Sequence, residues 1–355
     1  MRHLCPVVPP HLLHAVAAHG SVLQRERALR TLVVDEQLRR RREVTPAVRA
    51  PRVPHAALEA PAPHRTVADA AHGETLPGRT VRTEGGPVTG DAAADEAYDG
   101  LGLTWQLYAQ VYGRDSVDGR GLPLLGTVHY GDDYDNAFWN GSQMVFGDGD
   151  GELFGRFTAS VDVIGHELTH GVTEVEAALV YSGQSGALNE SVSDVFGSLV
   201  KQRALGQGAA DADWLIGAEL LRPGVEGVAL RSMEAPGTAY DDDVLGKDPQ
   251  PADMAHYVRT RDDNGGVHIN SGIPNHAFYL VARALGGRAW ERAGQVWYDT
   301  LLGAGGKLPA AATFARFAAA TEKAAVARYG GSSPVVDAVR AAWAEVGVTK
   351  SGSSR

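Results

Sequence analysis

His166 and His170 stand four positions apart in residues 161–197, a run with few helix breakers. On an α-helix that spacing puts both imidazoles on one face, one turn apart. Two neutral rings so placed can share one Zn²⁺ at about 2.0–2.1 Å each. Glu167, beside the first ring, can hold a metal-bound water without ligating, so this HExxH arrangement predicts two ligands and a base on one helix. Residues 186–194, GALNESVSD, open a second helical pattern. Glu190, twenty positions after His170, can supply a third ligand. Asp194 lies one turn further on the same face and can accept the spare N–H of a ligating histidine, which fixes its tautomer. Three protein ligands leave the fourth tetrahedral position for water, the mark of a catalytic rather than a structural zinc site. Such a chain must bring two neighbouring helices together around one ion.

HELTHGVTE at 166–174, followed by SGALNESVSD at 185–194, resembles the thermolysin-type neutral zinc metallopeptidases. Zinc aminopeptidases of the related class use a gap between second histidine and glutamate one residue shorter, so the spacing favours the endopeptidases. The resemblance implies an α+β fold of two domains. An N-terminal β-rich α/β domain over 67–176 would include the HExxH helix, and a mainly helical C-terminal domain would span 177–350, with the cleft between them. It implies a zinc-dependent metalloendopeptidase acting on protein and peptide substrates, with His166, His170 and Glu190 on the metal, Glu167 as base and Asp194 behind the ligands.

Position-wise resemblance also implies substrate-binding roles. Asn136 and the Ala137 carbonyl would hydrogen-bond the peptide backbone, Trp139 would flank the site, and Arg231 would bind the carbonyl beyond the cut. Tyr181 and His268 would donate to the developing oxyanion, with Asp263 orienting His268. Phe154, Phe157, Val163, Ile216 and Leu230 would line a pocket favouring a bulky apolar residue just after the scissile bond. From the residues alone, His268 sits in a loop with Gly265 and Gly266, which suggest a tight turn presenting it. The family's double calcium site matches Asp162 and Asp213, but Lys201, Leu215 and Ala218 stand where further carboxylates are expected, so that site is expected to be lost. Calcium elsewhere stays open.

The first 53 residues carry ten Lys/Arg and four Asp/Glu, a balance of +6, so a net −10 over 355 residues leaves −16 for the rest. A basic leader on an acidic body suggests an element that docks or is removed. The negative total argues against general nucleic-acid binding, and no run approaches the eighteen or so apolar residues a membrane span needs. The leader resembles the short prosegment of the protealysin-like branch, with Pro9-Pro10-His11-Leu12 matching a PPxL-type motif. That implies a propeptide over 1–53 acting as intramolecular inhibitor, removed within a processing region (54–66, or more widely 43–66). Cys5, the single cysteine, excludes an intramolecular disulfide and could reach the zinc as a thiolate. The start lacks an ordinary signal peptide because Pro9, Pro10 and His11 break its apolar run. Secretion by another route is expected, with a cytoplasmic peptidase as the alternative. A monomer is expected, with a frayed tail at 351–355.

Helical spacing predicts helices over 25–38, 92–112, 214–221, 275–285, 288–302, 310–329 and 334–346, and strands over 124–130 and 143–146, with 136–140 as the loop or edge between them. The GDGDG run at 147–151 lacks the EF-hand glutamate and reads as a tight turn. A third functional class, a catalytically silent binding protein on a peptidase scaffold, is disfavoured by the intact HExxH, Glu190, Asp194 and His268.

Overall fold

The structure, a computed structural model, describes residues 6–44 and 61–350. Two leader helices come first, α1 (Pro10–His19) and α2 (Val22–Val44). Pro10 suits the first turn of α1, where a missing N–H costs no helical bond. Leu12, Leu13 and Val16 of α1 and Ala28, Thr31 and Asp35 of α2 are buried, so the leader is folded against the body.

The body opens with β1 (Arg65–Asp69), β2 (Arg79–Thr83), α3 (Ala92–Tyr112), β3 (Leu124–Val128), β4 (Ala137–Trp139) and β5 (Met144–Phe146). The sheet order is β2-β1-β3-β5-β4. β1, β3 and β5 run parallel, and β4 closes the sheet as an antiparallel edge. α3 has the bounds its apolar spacing predicts because both ends are specified. Asp91 accepts from the Ala93 N–H at 2.9 Å, and Gly113 ends the helix in the left-handed region at φ 64°. The 147–151 run is a turn in which the Asp150 carboxylate accepts three backbone N–H groups, from Glu152, Leu153 and Phe154, at 2.7–3.0 Å.

α4 (Val161–Glu176) and α5 (Gly183–Leu205) form the centre. A Cβ on Gly197 would lie 2.3 Å from the Asp162 carbonyl oxygen, and one on Gly165 would lie 3.0 Å from the Gly197 Cα. Glycine at both positions lets the two backbones touch, and this brings polar side chains of the two helices together.

The C-terminal part contains β6 (Leu215–Ile216), β7 (Arg231–Ser232), α6 (Asp263–Asn270), α7 (Gly272–Leu285), α8 (Ala293–Leu301), α9 (Phe314–Tyr329) and α10 (Pro334–Glu345). Trp297 and Trp343 stack with centroids 6.1 Å apart, edged by Phe317. The helix expected over 214–221 is not there. Trp214 takes φ 55°, and Leu215 and Ile216 pair antiparallel with Ser232 and Arg231, so strand pairing overrides the apolar spacing. α8 and α9 begin later than expected, at Ala293 and Phe314, the second because Thr313 caps it through the Arg316 N–H at 3.3 Å. None of the helices of the described residues is long and apolar enough to cross a membrane.

Candidate metal centre and peptide cleft

α4 and α5 bring His166, His170 and Glu190 to one point. The two Nε2 atoms lie 3.0 Å apart, and the Glu190 oxygens lie 3.4 Å from His166 Nε2 and 3.5 Å from His170 Nε2. Tetrahedral donors about 2.05 Å from one ion stand roughly 3.3 Å from one another, so the set has the right size. The hydrogen-bond partners fix the tautomers. His166 Nδ1 donates to Asp194 Oδ1 at 2.8 Å and His170 Nδ1 to Asn189 Oδ1 at 2.9 Å, which turns both Nε2 lone pairs into the same space. Among the described residues, Glu190 Oε2 and Glu167 Oε1 are buried with no hydrogen-bond partner. Facing lone pairs and orphaned carboxylate oxygens fit a divalent cation and would be costly without one.

Glu167 is fully buried. Its Oε2 accepts from the Trp139 N–H of β4 at 2.8 Å. Burial pushes its carboxyl up to about 8, against the opposing pull of His166 and the Trp139 amide. Across from it, Tyr181 donates to Glu190 Oε1 and lies 3.2 Å from His268 Nε2. Asp263 grips His268 twice, at 2.6 Å from Nδ1 and 2.8 Å from the backbone N–H. The grip depends on left-handed backbone at Asn264, Gly265 and Gly266, the tight turn the glycines predict. Burial works against a charge on His268, but Asp263 and Glu190 outweigh it and raise its pKa above the ordinary value. Asp194 is saturated: Arg231 Nη2 and Nε donate at 2.8 and 2.9 Å, and Asn275 Nδ2 at 2.8 Å. Burial opposes its ionisation, yet Arg231 and His166 hold it at about 2. Sequence reasoning did not find Asn189, Ser193 or Asn275. Ser193 Oγ lies 3.1 Å from His170 Nδ1, and only the α5 helical register, one turn from Asn189, hinted at it.

The leader lies across the same cleft. Val7 N–H donates to the Ala137 carbonyl at 3.1 Å, and Arg231 Nη1 donates to the Val7 carbonyl at 3.1 Å. Val8 N–H donates to Asn136 Oδ1 at 2.9 Å, and Asn136 Nδ2 returns a bond to the Val8 carbonyl at 3.3 Å. The groups expected to bind a peptide backbone therefore hold the chain's own residues 7 and 8. α2 adds Asp35, which accepts from Tyr134 at 2.5 Å and Asn136 at 3.1 Å. Its basic face pairs with the body through Arg27 to Asp133 at 2.8 Å and Glu152 at 3.1 Å, and Arg30 to Asp132 at 3.0 Å. Phe154, Phe157, Val163, Ile216 and Leu230 are buried in one apolar cluster with Val7, Val8, Leu12 and Leu13. Cys5 lies outside the described residues.

Where the family's double calcium site would lie, Lys201 Nζ stands 2.9 Å from Asp162, 3.0 Å from Asp213 and 2.7 Å from the Leu215 carbonyl. Ser160 Oγ bridges Asp162 and Glu219 at 2.6 and 2.7 Å.

Residues 62–174 match the thermolysin metallopeptidase catalytic domain, and residues 177–348 match the thermolysin metallopeptidase alpha-helical domain. An extracellular metalloprotease of Pectobacterium carotovorum subsp. carotovorum is 54% identical over 347 residues, covering 98% of this chain and 97% of that protein. A thermolysin of Alicyclobacillus acidocaldarius subsp. acidocaldarius is 43% identical over 265 residues, 73% of this chain and 46% of that protein. The solved precursor of protealysin, a metalloproteinase from Serratia proteamaculans, superposes with a TM-score of 0.88 at 53% identity, covering 97% of this chain and all of that one. A sheet-bearing N-terminal domain, a helical C-terminal domain and a metal-sized donor set at their junction thus coincide with matches along nearly the whole chain, and the chain belongs to the thermolysin family, as a zinc-dependent metalloendopeptidase that acts on proteins.

Proposed function

We propose that the chain is made as a zymogen and, once its leader is removed, hydrolyses internal peptide bonds with His166, His170 and Glu190 holding the zinc. When bound, zinc supplies a Lewis acid that acidifies a water and polarises the peptide carbonyl. Glu167 takes the water proton as the oxygen attacks and passes it to the leaving amine. Tyr181 and the His268 imidazolium, its Nδ1–H held by Asp263, donate to the tetrahedral oxyanion. One such donor is typically worth about 2.7–4 kcal/mol. Asn136, the Ala137 carbonyl and Arg231 hold the substrate backbone at the β4 edge, with Trp139 beside them. Main-chain recognition of this kind tolerates varied sequences. Phe154, Phe157, Val163, Ile216 and Leu230 favour a bulky apolar residue just after the cut.

The observation that carries the catalytic reading is the buried Glu167 Oε1 left without a partner beside the convergent Nε2 pair. The zymogen reading rests on Val7 and Val8 occupying the backbone-binding groups. We take 67–176 and 177–350 as the two domains and 1–53 as the propeptide. Lys201 replaces the calcium of the double site with a built-in cation. Relatives named extracellular proteases support export, which comparison of culture medium with lysate checks. The deciding experiment is Glu167→Ala: it should keep the zinc held by His166, His170 and Glu190, leave casein uncut and keep its leader. Casein cleavage by that variant sinks the catalytic assignment, and normal leader removal in its pure preparation sinks self-processing.

A further inference from the structure

We propose that His72, His129 and Asp148 form a second metal site, taking a divalent transition ion of the Zn²⁺ class. Their positions follow from the sheet. β1, β3 and β5 are neighbouring parallel strands. His72, His129 and Asp148 stand three, one and two residues beyond the ends of these strands at Asp69, Val128 and Phe146. The carboxyl ends of parallel strands are where open α/β sheets place ligands.

The donor atoms converge. One ligand atom from each residue lies within 4.8 Å of the other two. Asp148 Oδ2 lies 2.9 Å from His129 Nδ1 and 3.6 Å from His72 Nδ1, spacings that bracket the roughly 3.3 Å of donors around one zinc. Two imidazoles and a carboxylate suit Zn²⁺ better than Ca²⁺ or Mg²⁺, which prefer oxygen. His129 also has the support typical of a ligating histidine. Its other nitrogen, Nε2, meets Asp91 Oδ2 at 2.8 Å, and Asp91 is itself fixed as the cap of α3. A carboxylate behind a histidine orients the ring and raises its basicity as a ligand.

The backbone holds these side chains in place. Ala71, His72 and His129 take φ values of 50°, 61° and 53°, each a left-handed conformation that is strained for a residue other than glycine and clusters at functional sites. The two histidines are tied directly, the His72 N–H donating to the His129 carbonyl at 2.8 Å, and the Gly131 N–H to the Gly73 carbonyl at 3.1 Å beside them. The His72 side chain is 61% exposed, so an ion has an entry path and room for waters. Arg156, a nearby cation whose charge interacts with Asp148 and Asp91, is held by Glu96 at 2.8 Å.

The competing account is a protonated His129 clamped between Asp91 and Asp148, with His72 idle. Zinc titration of the purified full chain with its catalytic zinc already in place separates the two. A second equivalent is expected, weakened at least tenfold in His72→Ala and about 10–100-fold in Asp91→Asn. Casein hydrolysis by His72→Ala should be unchanged, since His72 touches none of the cleft groups. Cobalt loading should add a second set of visible bands that His72→Ala loses. A titration that stops at one zinc per chain, or a second equivalent that binds His72→Ala as tightly as the parent, overturns the site.

Discussion

Arg231 holds Asp194 with two nitrogens and gives the third to the Val7 carbonyl at 3.1 Å. The arginine that buttresses the metal centre is thereby also a latch for the leader. Substrate would compete with the leader for this donor, so in the proposed zymogen leader affinity would set latency. Leu13 is fully buried, and truncating such a leucine costs about 2–5 kcal/mol. Leu13→Ala should loosen the leader, shortening or abolishing the lag before casein hydrolysis while leaving final activity intact. An unchanged lag would mean that burial of α1 does not control latency.

The leader's pH response should be a balance of two opposite shifts. Burial lowers His11 to about 4, against the pull of Asp263 and with help from His268, Arg231 and His14. The undocked leader therefore binds a proton there that the docked one lacks, so this contribution is full above 6.5 and lost as pH falls through about 4. Burial raises Asp35 to about 6, against Tyr134, Arg39 and Asn136. That contribution is full below 3.8 and lost as pH rises through about 6. Between 4 and 6 the two offset each other. Asp35→Asn should then release its leader on acidification through this window, and His11→Gln should grip it harder. Hydrogen exchange of residues 10–19 in a Glu167→Ala background, corrected for intrinsic rates, reads both. Parallel responses of the two variants would contradict the opposition.

Asn189 is the polar partner of His170 at 2.9 Å. Removing such a support typically costs 10–100-fold in metal affinity. Asn189→Ala should lose zinc to a competing chelator by about that factor. Ser193 at 3.1 Å makes the lower end the expected result. An affinity equal to the parent's would make the contact incidental.

The central helices could be read from the sequence because metal ligation imposes spacing on residue identity. α3 was readable to the residue because Asp91 and Gly113 signal their own ends. Other features are set by tertiary contact. Trp214 to Leu221 has helical apolar spacing, yet two-residue strands such as Leu215–Ile216 have no periodicity to detect. Asn189 precedes Glu190 in a helix whose pattern says nothing about which amide will meet which ring. The seat of Val7 and Val8 was invisible because it is made through main-chain bonds, which leave no mark on side-chain type. The basic leader was visible as charge, and Arg27 and Arg30 place that charge on Asp133, Glu152 and Asp132.

Lys201 offers the sharpest test of how this chain departs from a calcium-held fold. Its ammonium bridges Asp162, fully buried, and Asp213, partly exposed. Burial opposes its charge, but Asp162 and Asp213 raise its pKa above the usual lysine value, so the cation is present throughout the working pH range. Removing one partner of a buried pair strands the other and typically costs about 3–5 kcal/mol; the exposure of Asp213 puts the expected loss at the low end. Lys201→Ala should therefore melt well below the parent. Millimolar calcium should recover part of the loss, since Asp162, Asp213 and the Glu219 linked through Ser160 would then face a vacated cation position. The parent should gain far less from the same calcium. Thermal melts of both proteins with calcium or a calcium-selective chelator decide it: equal calcium shifts in the two would show that the ammonium does not occupy the ion's place.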